Sequence, residues 1–200
     1  VLYDFDRETF GYADLGGLDK NRSYGVFYGE SREEALAGEE AIVSETVTGR
    51  ESVRLTQRAF RYIFVAGADE HTVLRAQYEY LPLARRGSFR CDNELFNRVW
   101  EMCAYTFHLN CRETYLDGIK RDRWPWSGDA YQSYAINRYL FADRAIDRRT
   151  ILGLRGKEPT EQHINTILDY SLYWLISLED YYDAYADTEF LRLVWPRALT

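Results

Sequence analysis

The chain has 200 residues, enough for one large domain or two small ones, and 46% of them are hydrophobic, which predicts a packed core rather than disorder. Its net charge of −7 repels phosphate backbones and argues against nucleic-acid binding. Three cysteines without a C-x-x-C pair and three scattered histidines predict neither a zinc site nor a disulfide framework, so neither metal nor cofactor is expected. No apolar run approaches about 18 residues, which argues against a transmembrane span.

The first 86 residues have the pattern of β structure. Glycines separate short runs, and the clearest alternation covers residues 72–83, where Leu74 and Ala76 point to one side and polar residues to the other. Residues 58–67 behave similarly. Short strands with glycine turns predict a β-sandwich module over residues 1–86.

Helical patterns begin after residue 86. Asp92 can cap a first helix, in which an apolar stripe at spacings of three and four is formed by Phe96, Val99, Trp100, Cys103 and Phe107. A second helix is predicted to open at Gly128 or Asp129 and to end near Gly153.

A third helix is predicted after Pro159, and a fourth near residue 188, capped by Asp187 or Thr188. A β module followed only by helices is a chain of two parts. The predicted division is therefore a β module over residues 1–86 and a helical domain over residues 87–200.

The segment between the first two helices carries an unusual mixture of side chains, DGIKRDRWPWSGDA over residues 117–130. Pro125 and the glycines prevent a continuous helix, so the segment is predicted to be a loop that leads into the second helix. It contains carboxylates, cations and indoles: Asp117, Asp122 and Asp129, then Lys120, Arg121 and Arg123, then Trp124 and Trp126.

Each of these groups has a role in enzymes that cleave glycosidic bonds. Breaking a glycosidic bond needs a proton donor at the leaving oxygen, and inversion adds a carboxylate that activates water on the opposite side. A neighbouring arginine keeps a carboxylate ionised, whereas burial against an apolar ring raises a carboxyl pKa. Indole rings can cover the apolar face of a pyranose. The alternative is a solvated ladder of ion pairs, which the two tryptophans disfavour because large rings are seldom left in water.

This segment resembles the α-L-rhamnosidases of glycoside hydrolase family 78. Their signature is an Asp, then Arg-Asp-Glu-Arg, a Gly-Trp, and Gly-Asp-Ala at the head of a helix. Asp117, the pair Arg121-Asp122, Trp126 and the run at residues 128–130 match it, with one residue fewer in between. Residues 58–67, 87–101 and 193–199 also resemble stretches of these enzymes.

The resemblance implies a β-sandwich module followed by an (α/α)6 barrel, of which only about the first third fits here. The chain is therefore expected to be a central piece of a longer polypeptide. The implied activity is cofactor-free, inverting hydrolysis of terminal α-L-rhamnose from an oligosaccharide or another glycoside. Asp117 and Asp129 are expected to hold sugar hydroxyls, beside Arg121, Arg123, Trp124 and Trp126.

One departure affects the expected chemistry. The family's general acid is the Glu after Arg-Asp, but here Arg123 follows Asp122 directly. Arginine cannot deliver a proton near neutral pH, because its pKa exceeds about 12. Asp122 could take the acid role, or Glu161 or Asp169 could reach in from the following segment. Alternatively, the protein could bind sugar without cleaving it, or cleave a different sugar. The family's general base is expected beyond Thr200.

Three hypotheses follow from these observations. The first is an exo-acting bacterial glycosidase, expected in the periplasm or outside the cell because its substrates would be polymers. It predicts that Asp117, Asp122 and Asp129 meet in one pocket with a tryptophan at its wall. The second is a non-catalytic sugar-binding relative, motivated by Arg123, and the third is a helical scaffold. An arginine in a sugar site also suggests an acidic neighbour such as a uronic acid.

Overall fold

In the computed structural model, which describes residues 1–199, internal contacts divide the chain into two compact units. The first is Val1–Tyr80 and is built around a β-sheet, whereas the second begins at Leu81 and consists of helices and loops. The predicted order of a β module before a helical region is therefore confirmed. The predicted domain division at residues 86 and 87 stays a prediction, and its far end, Thr200, lies outside the described residues.

One antiparallel sheet of six strands forms the first unit: β1 (Leu2–Gly16), β2 (Ser23–Gly29), β3 (Val43–Thr48), β4 (Ser52–Arg54), β5 (Arg58–Ala66) and β6 (Val73–Tyr78). The strand order is β3-β2-β5-β1-β4, and β6 pairs with the other edge of β1. The register of β1 against β5 shifts between Asp4 and Thr9, where Asp6 has a left-handed backbone with φ of 67°. This irregularity bends the long β1, and the sheet curls.

The core of this unit lies on one face of the sheet. Alternate residues of β2 point inward, and the buried side chains Tyr24, Val26 and Tyr28 meet Ile63 and Val65 of β5. The period of two along β2 therefore reports a half-buried antiparallel strand, as expected from residue patterning.

The alternation predicted over residues 72–83 is confirmed for β6 and is wrong beyond it. Leu74 and Ala76 pack against the sheet core. Pairing with β1 ends at the Gly11–Tyr78 pair, so Tyr80 lies past the strand and is 53% exposed. The prediction also missed a short helix between β2 and β3, α1 (Arg32–Leu36), capped by Ser31.

Five longer helices form the second unit: α2 (Glu94–Asn110), α3 (Ser127–Leu140), α4 (Arg144–Leu154), α5 (Leu168–Tyr185) and α6 (Thr188–Ala198). Their common core is aromatic and aliphatic, with Phe107, Tyr134, Ile146, Ile151, Trp174 and Phe190 among its buried members. Among the described residues, no helix combines the length and the hydropathy that a membrane crossing requires.

Several helix boundaries differ from the predicted ones. The cap of α2 is Asn93 rather than Asp92, because the Asn93 side chain accepts the N–H of Leu95. The predicted second helix is two helices, since the chain turns at Ala142 (φ 50°) and Asp143 then caps α4. The cap predicted at Asp187 is confirmed for α6.

The predicted apolar stripe of α2 is only partly buried. Phe107 lies in the helical core, whereas Phe96 is 57% and Val99 46% exposed, and Cys103 is exposed as well. The spacing correctly predicted a helix with one apolar face, but packing within the described residues covers only the end of that face.

The connections alternate between long and short. Residues 111–126 lead into α3 and residues 155–167 lead into α5, whereas residues 141–143 and 186–187 are tight turns. Helices α3 and α5 pack side by side. The two long loops meet beside the first turns of α3 and α5, where side chains of one loop contact the other.

Candidate functional site

The loop over residues 117–124 is closed by two hydrogen bonds between its ends. The N–H of Trp124 donates to Oδ1 of Asp117 at 2.9 Å, and the N–H of Asp117 donates to the carbonyl of Trp124 at 3.1 Å. Asp117 therefore orders its own loop, and the chain turns back at this point toward Pro125 and α3.

Asn165 joins this loop to the loop before α5. Its Oδ1 accepts the N–H of Ser127 at 3.0 Å, and its Nδ2 donates to the carbonyl of Pro125 at 3.2 Å. The backbone of Asn165 is left-handed, with φ of 50°, a conformation that asparagine tolerates better than most residues. Sequence reasoning missed this residue.

The start of α3 is also fixed from the side of α5. The buried Ser127 hydroxyl donates to the carbonyl of Tyr170 at 2.7 Å, and the Tyr170 ring meets Trp126 edge-on at 6.1 Å. A Cβ on Gly128 would lie 2.9 Å from the Tyr170 ring, so only glycine leaves the ring its present place. Trp126 is thus half-buried in an aromatic wall rather than solvated.

Asp129 lies in the first turn of α3 and is influenced by Asp117. Its side chain is exposed on one side, yet partial burial of the other side raises its pKa, and the negative charge of Asp117 raises it further. A hydrogen bond from its own backbone N–H opposes both effects. Two of the three predicted carboxylates therefore lie near enough to interact.

The remaining predicted residues of this segment, Arg123 excepted, lie toward solvent. Arg121 and Asp122 are exposed, and Trp124 is 59% exposed. Arg123 is partly buried and has a left-handed backbone with φ of 53°. Electrostatics thus link Asp117 to Asp129, whereas no interaction within residues 1–199 links Asp122 to either of them.

The two other candidate acids come from the loop before α5. Asp169 is exposed in the first turn of α5. Glu161 is exposed too, but it lines a cavity of about 410 Å³ that Trp124 and Pro125 border from the other loop. Lys157 and Arg197 contribute cations to the same cavity.

Sequence reasoning also missed Asp147, which is 1% exposed in the helical core. The hydroxyls of Tyr115 and Tyr185 donate to its carboxyl group at 2.6 and 3.0 Å, and Nδ2 of Asn137 donates at 3.0 Å. Burial raises the pKa of Asp147 to about 6, and these hydrogen bonds partly oppose the rise. A signal was present, because helical spacing puts residue 147 on the buried face of α4.

Two family models match the chain. The model for the bacterial alpha-L-rhamnosidase six-hairpin glycosidase domain matches residues 84–199, more than half of the chain. The model for the alpha-rhamnosidase-like N-terminal region of Bacteroidetes matches residues 1–65. No curated protein matches the chain significantly.

Three solved structures share the fold, each over 98% of this chain. They are a GH78 family rhamnosidase of Bacillus sp. GL1 (TM-score 0.77, 20% identity), a rhamnosidase from Klebsiella oxytoca with rhamnose bound (0.73, 19%) and an alpha-L-rhamnosidase from Dictyoglumus thermophilum (0.71, 18%). The chain spans only 23%, 46% and 26% of their respective lengths. At these identities the similarity establishes the fold.

Proposed function

Because the chain belongs to the bacterial α-L-rhamnosidase family with a six-hairpin glycosidase domain, we propose that the full-length protein hydrolyses terminal α-L-rhamnosyl or related residues of glycosides, with inversion and without a cofactor. The observation that carries the proposal is that Asp117 lies near enough to Asp129 to contribute to its raised pKa, next to the aromatic wall of Trp126 and Tyr170. Inversion needs an acid and a base on opposite faces of the sugar.

In this proposal Asp117 and Asp129 bind sugar hydroxyls. Carboxylate oxygens accept hydrogen bonds from hydroxyl donors, and the hydrogen bond from Trp124 orients Asp117 before substrate arrives. Trp126 would cover an apolar ring face, and Arg121, Arg123 and Trp124 would contact the sugar from the loop. Asp169 would contribute from the first turn of α5.

The proposed general acid is Asp122, the residue directly before Arg123. Glu161 is the strongest competitor, because it shares a cavity with Trp124. Asp169 is the third possibility. An acid must lie within hydrogen-bond reach of the leaving oxygen when substrate is bound, and open loops commonly tighten only then.

We also propose the complete family architecture, a β-sandwich module followed by an (α/α)6 barrel. Support comes from the alternation of long and short connections and from apolar side chains that packing within residues 1–199 leaves exposed, among them Phe96, Val99, Ile136, Leu172 and Ile176. Further helices of a barrel would bury such faces. Action outside the bacterial cytoplasm is proposed from the polymeric nature of the substrates.

The proposal is tested with the full-length protein on an aryl α-L-rhamnoside. We expect turnover, the β-anomer of rhamnose as the first product by NMR, and a loss in kcat/KM of about 100-fold or more in Asp129→Asn. Asp183→Asn removes an exposed carboxylate of α5 and serves as the matched control. Initial release of the α-anomer would contradict inversion.

Leaving groups of different acidity identify the general acid. Loss of the acid slows substrates with poor leaving groups far more than those with activated aryl groups, because the latter need little protonation. We expect this selective loss in Asp122→Asn and not in Glu161→Gln or Asp169→Asn. The same selective loss in Glu161→Gln instead would identify Glu161, in the loop before α5, as the general acid.

A second function is favoured by one observation: Arg123, rather than an acidic residue, follows Asp122 directly. In that case the protein binds the sugar without cleaving it. Absence of turnover on every rhamnoside, with rhamnose binding that Asp129→Asn weakens by calorimetry, would support this alternative over hydrolysis.

A further inference from the structure

An open groove of about 860 Å³ crosses the β unit where β4 and β6 flank the end of β1. Its centre is a row of three paired residues on neighbouring strands. Asp14 of β1 lies opposite Arg54 of β4 on one side and opposite Arg75 of β6 on the other. The row therefore presents two guanidinium groups and one carboxylate on one sheet face.

The carboxylate of this row is already neutralised. Nε and Nη2 of Arg54 donate to the two oxygens of Asp14 at 2.8 and 3.0 Å, and Gln77 donates to the same carboxylate. The hydrogen bonds from Arg54 lower the pKa of Asp14. The Arg54 guanidinium also lies 5.7 Å from the centre of the Tyr12 ring, so its position is held from two sides.

The other two arginines of the groove have no such partner. Arg50 and Arg75 line the groove, and within residues 1–199 neither makes an ion pair with a carboxylate. By comparison, Arg22, Arg61 and Arg138 of this acidic chain of net charge −7 each pair with an aspartate. The groove thus concentrates uncompensated positive charge.

Part of the groove lining has no side chains. Gly16 and Gly17 lie there, and the space above Gly16 is open, since a Cβ would meet nothing closer than 3.9 Å. Gly17 has a left-handed backbone with φ of 73°, and a Cβ there would lie 2.0 Å from the carbonyl oxygen of His71. The open space at Gly16 therefore allows a ligand to approach the strand closely, whereas the missing side chain of Gly17 makes room for the His71 carbonyl.

We propose that this groove binds a carboxylate-bearing oligosaccharide, a chain that contains uronic acid residues. Guanidinium groups bind carboxylates through paired hydrogen bonds, and Arg50 and Arg75 supply two such groups along an open channel. Gln77 and Asp14 lie beside them and can bond sugar hydroxyls. The glycan character of the ligand rests on the proposed function, whereas its negative charge rests on the groove alone.

The test uses the full-length protein and two matched probes, an oligogalacturonate and its fully methyl-esterified form, which has the same sugar chain without charge. Calorimetry is expected to show binding of the charged probe, weakened by added salt, and at least about tenfold weaker binding of the ester. The double variant Arg50→Ala, Arg75→Ala should lose about tenfold in affinity for the charged probe, because each exposed ion pair contributes up to about fivefold.

Arg32→Ala is the control, since it removes the same charge from an exposed position of the same unit outside the groove. Thermal unfolding establishes that each variant is folded. Equal binding of the ester, an equal loss in Arg32→Ala, or no binding of the oligogalacturonate would overturn the proposal. If inorganic phosphate at equal concentration competes with the oligogalacturonate, the groove is a general anion site, and the assignment to a glycan is overturned.

The hydrolysis assay tests the proposed function separately from the binding measurement on the groove. Hydrolysis of an aryl rhamnoside is measured without the oligogalacturonate, so absence of turnover would leave the binding measurement and its variants to be judged independently. Asp129→Asn should bind the oligogalacturonate as the wild type does, because that residue belongs to the helical unit.

Discussion

Asp117 and Trp124 bond to each other twice, through the Asp117 carboxylate at 2.9 Å and through the two backbones at 3.1 Å. The loop is therefore closed at its base, while Arg121 and Asp122 at its tip remain exposed to solvent. This arrangement separates two roles within one motif. Hydrogen bonds hold the residues at the base in place before any ligand binds, whereas Arg121 and Asp122 at the tip are exposed.

The first prediction concerns the charge that Asp117 imposes on Asp129. Asp117→Asn keeps an oxygen for the N–H of Trp124 but removes the negative charge, so the pKa of Asp129 should fall toward its ordinary value. Partial burial, the larger cause, should keep it from falling further. A carboxyl-carbon NMR titration of Asp129 measures the change, and Asp183→Asn is the distant control.

Asp117→Ala should lower the same pKa and also loosen the loop. It removes the acceptor of the Trp124 N–H, which should cost about 1–2 kcal/mol in the free energy of unfolding. Equal stability of the Ala and Asn variants in chemical denaturation would show that the side-chain hydrogen bond does not order the loop.

The second prediction concerns Asn165, which bonds both Pro125 and Ser127. Asn165→Gly keeps the left-handed backbone and removes both hydrogen bonds, so the free energy of unfolding should fall by about 1–2 kcal/mol. Asn165→Ala should cost about 1 kcal/mol more, because alanine disfavours a positive φ. Denaturant unfolding measures both. Identical losses in the two variants would mean that the backbone conformation adds nothing.

Local patterns predicted much of the fold, and they failed where long-range packing decides. The apolar residues at spacings of three and four correctly predicted helix α2. Their spacing could not reveal that Phe96 and Val99 stay exposed. The turn between α3 and α4 was missed because Ala142 has no residue-type signal for a left-handed backbone. Asp143, a good cap residue directly before α4, was the available signal.

The positions of the candidate site residues could also be predicted only in part. The motif located Asp117, Trp126 and Asp129 beside the start of α3, because a loop that leads into a helix keeps its residues near the first turn. Asn165 lies 40 residues after Pro125, and nothing in its neighbourhood indicates a bond across that distance. The roles predicted for Asp122 and Arg123 concern contacts with bound substrate, and these roles stay predictions.

The third prediction is a pH dependence caused by Asp147. Its folded pKa is raised from an ordinary value of 3.8 to about 6, so the folded state holds a proton that the unfolded state releases. The resulting stabilisation is fully present below about pH 3.8 and is lost as the pH rises through about 6. Asp147→Asn mimics the protonated form and should lack this dependence.

The free energy of unfolding of Asp147→Asn, taken relative to that of the wild type, should therefore increase by about 3 kcal/mol between about pH 4 and pH 7. Denaturant unfolding at several pH values measures it, with Asp183→Asn as the exposed control. Tyr185→Phe removes a donor to the carboxylate, so it should raise the pKa of Asp147 further. A difference that stays constant with pH would mean that Asp147 does not change its protonation in this range.

The fourth prediction concerns Gly128, whose missing side chain leaves room for the Tyr170 ring. In Gly128→Ala the new Cβ would lie 2.9 Å from the ring, so the ring must move away from Trp126. Because a ring tip can move, and because alanine favours a helix by about 1 kcal/mol, the free energy of unfolding should change little. If the aromatic wall binds sugar, kcat/KM on an aryl rhamnoside should still fall by about tenfold.

A double-mutant cycle isolates this contact. Tyr170→Ala removes the ring, so Gly128→Ala should have almost no further effect on kcat/KM in that background. Thermal unfolding of all four proteins reveals any separate loss of stability. An undiminished effect of Gly128→Ala without the ring would show that the glycine acts through the backbone of α3 rather than through Tyr170.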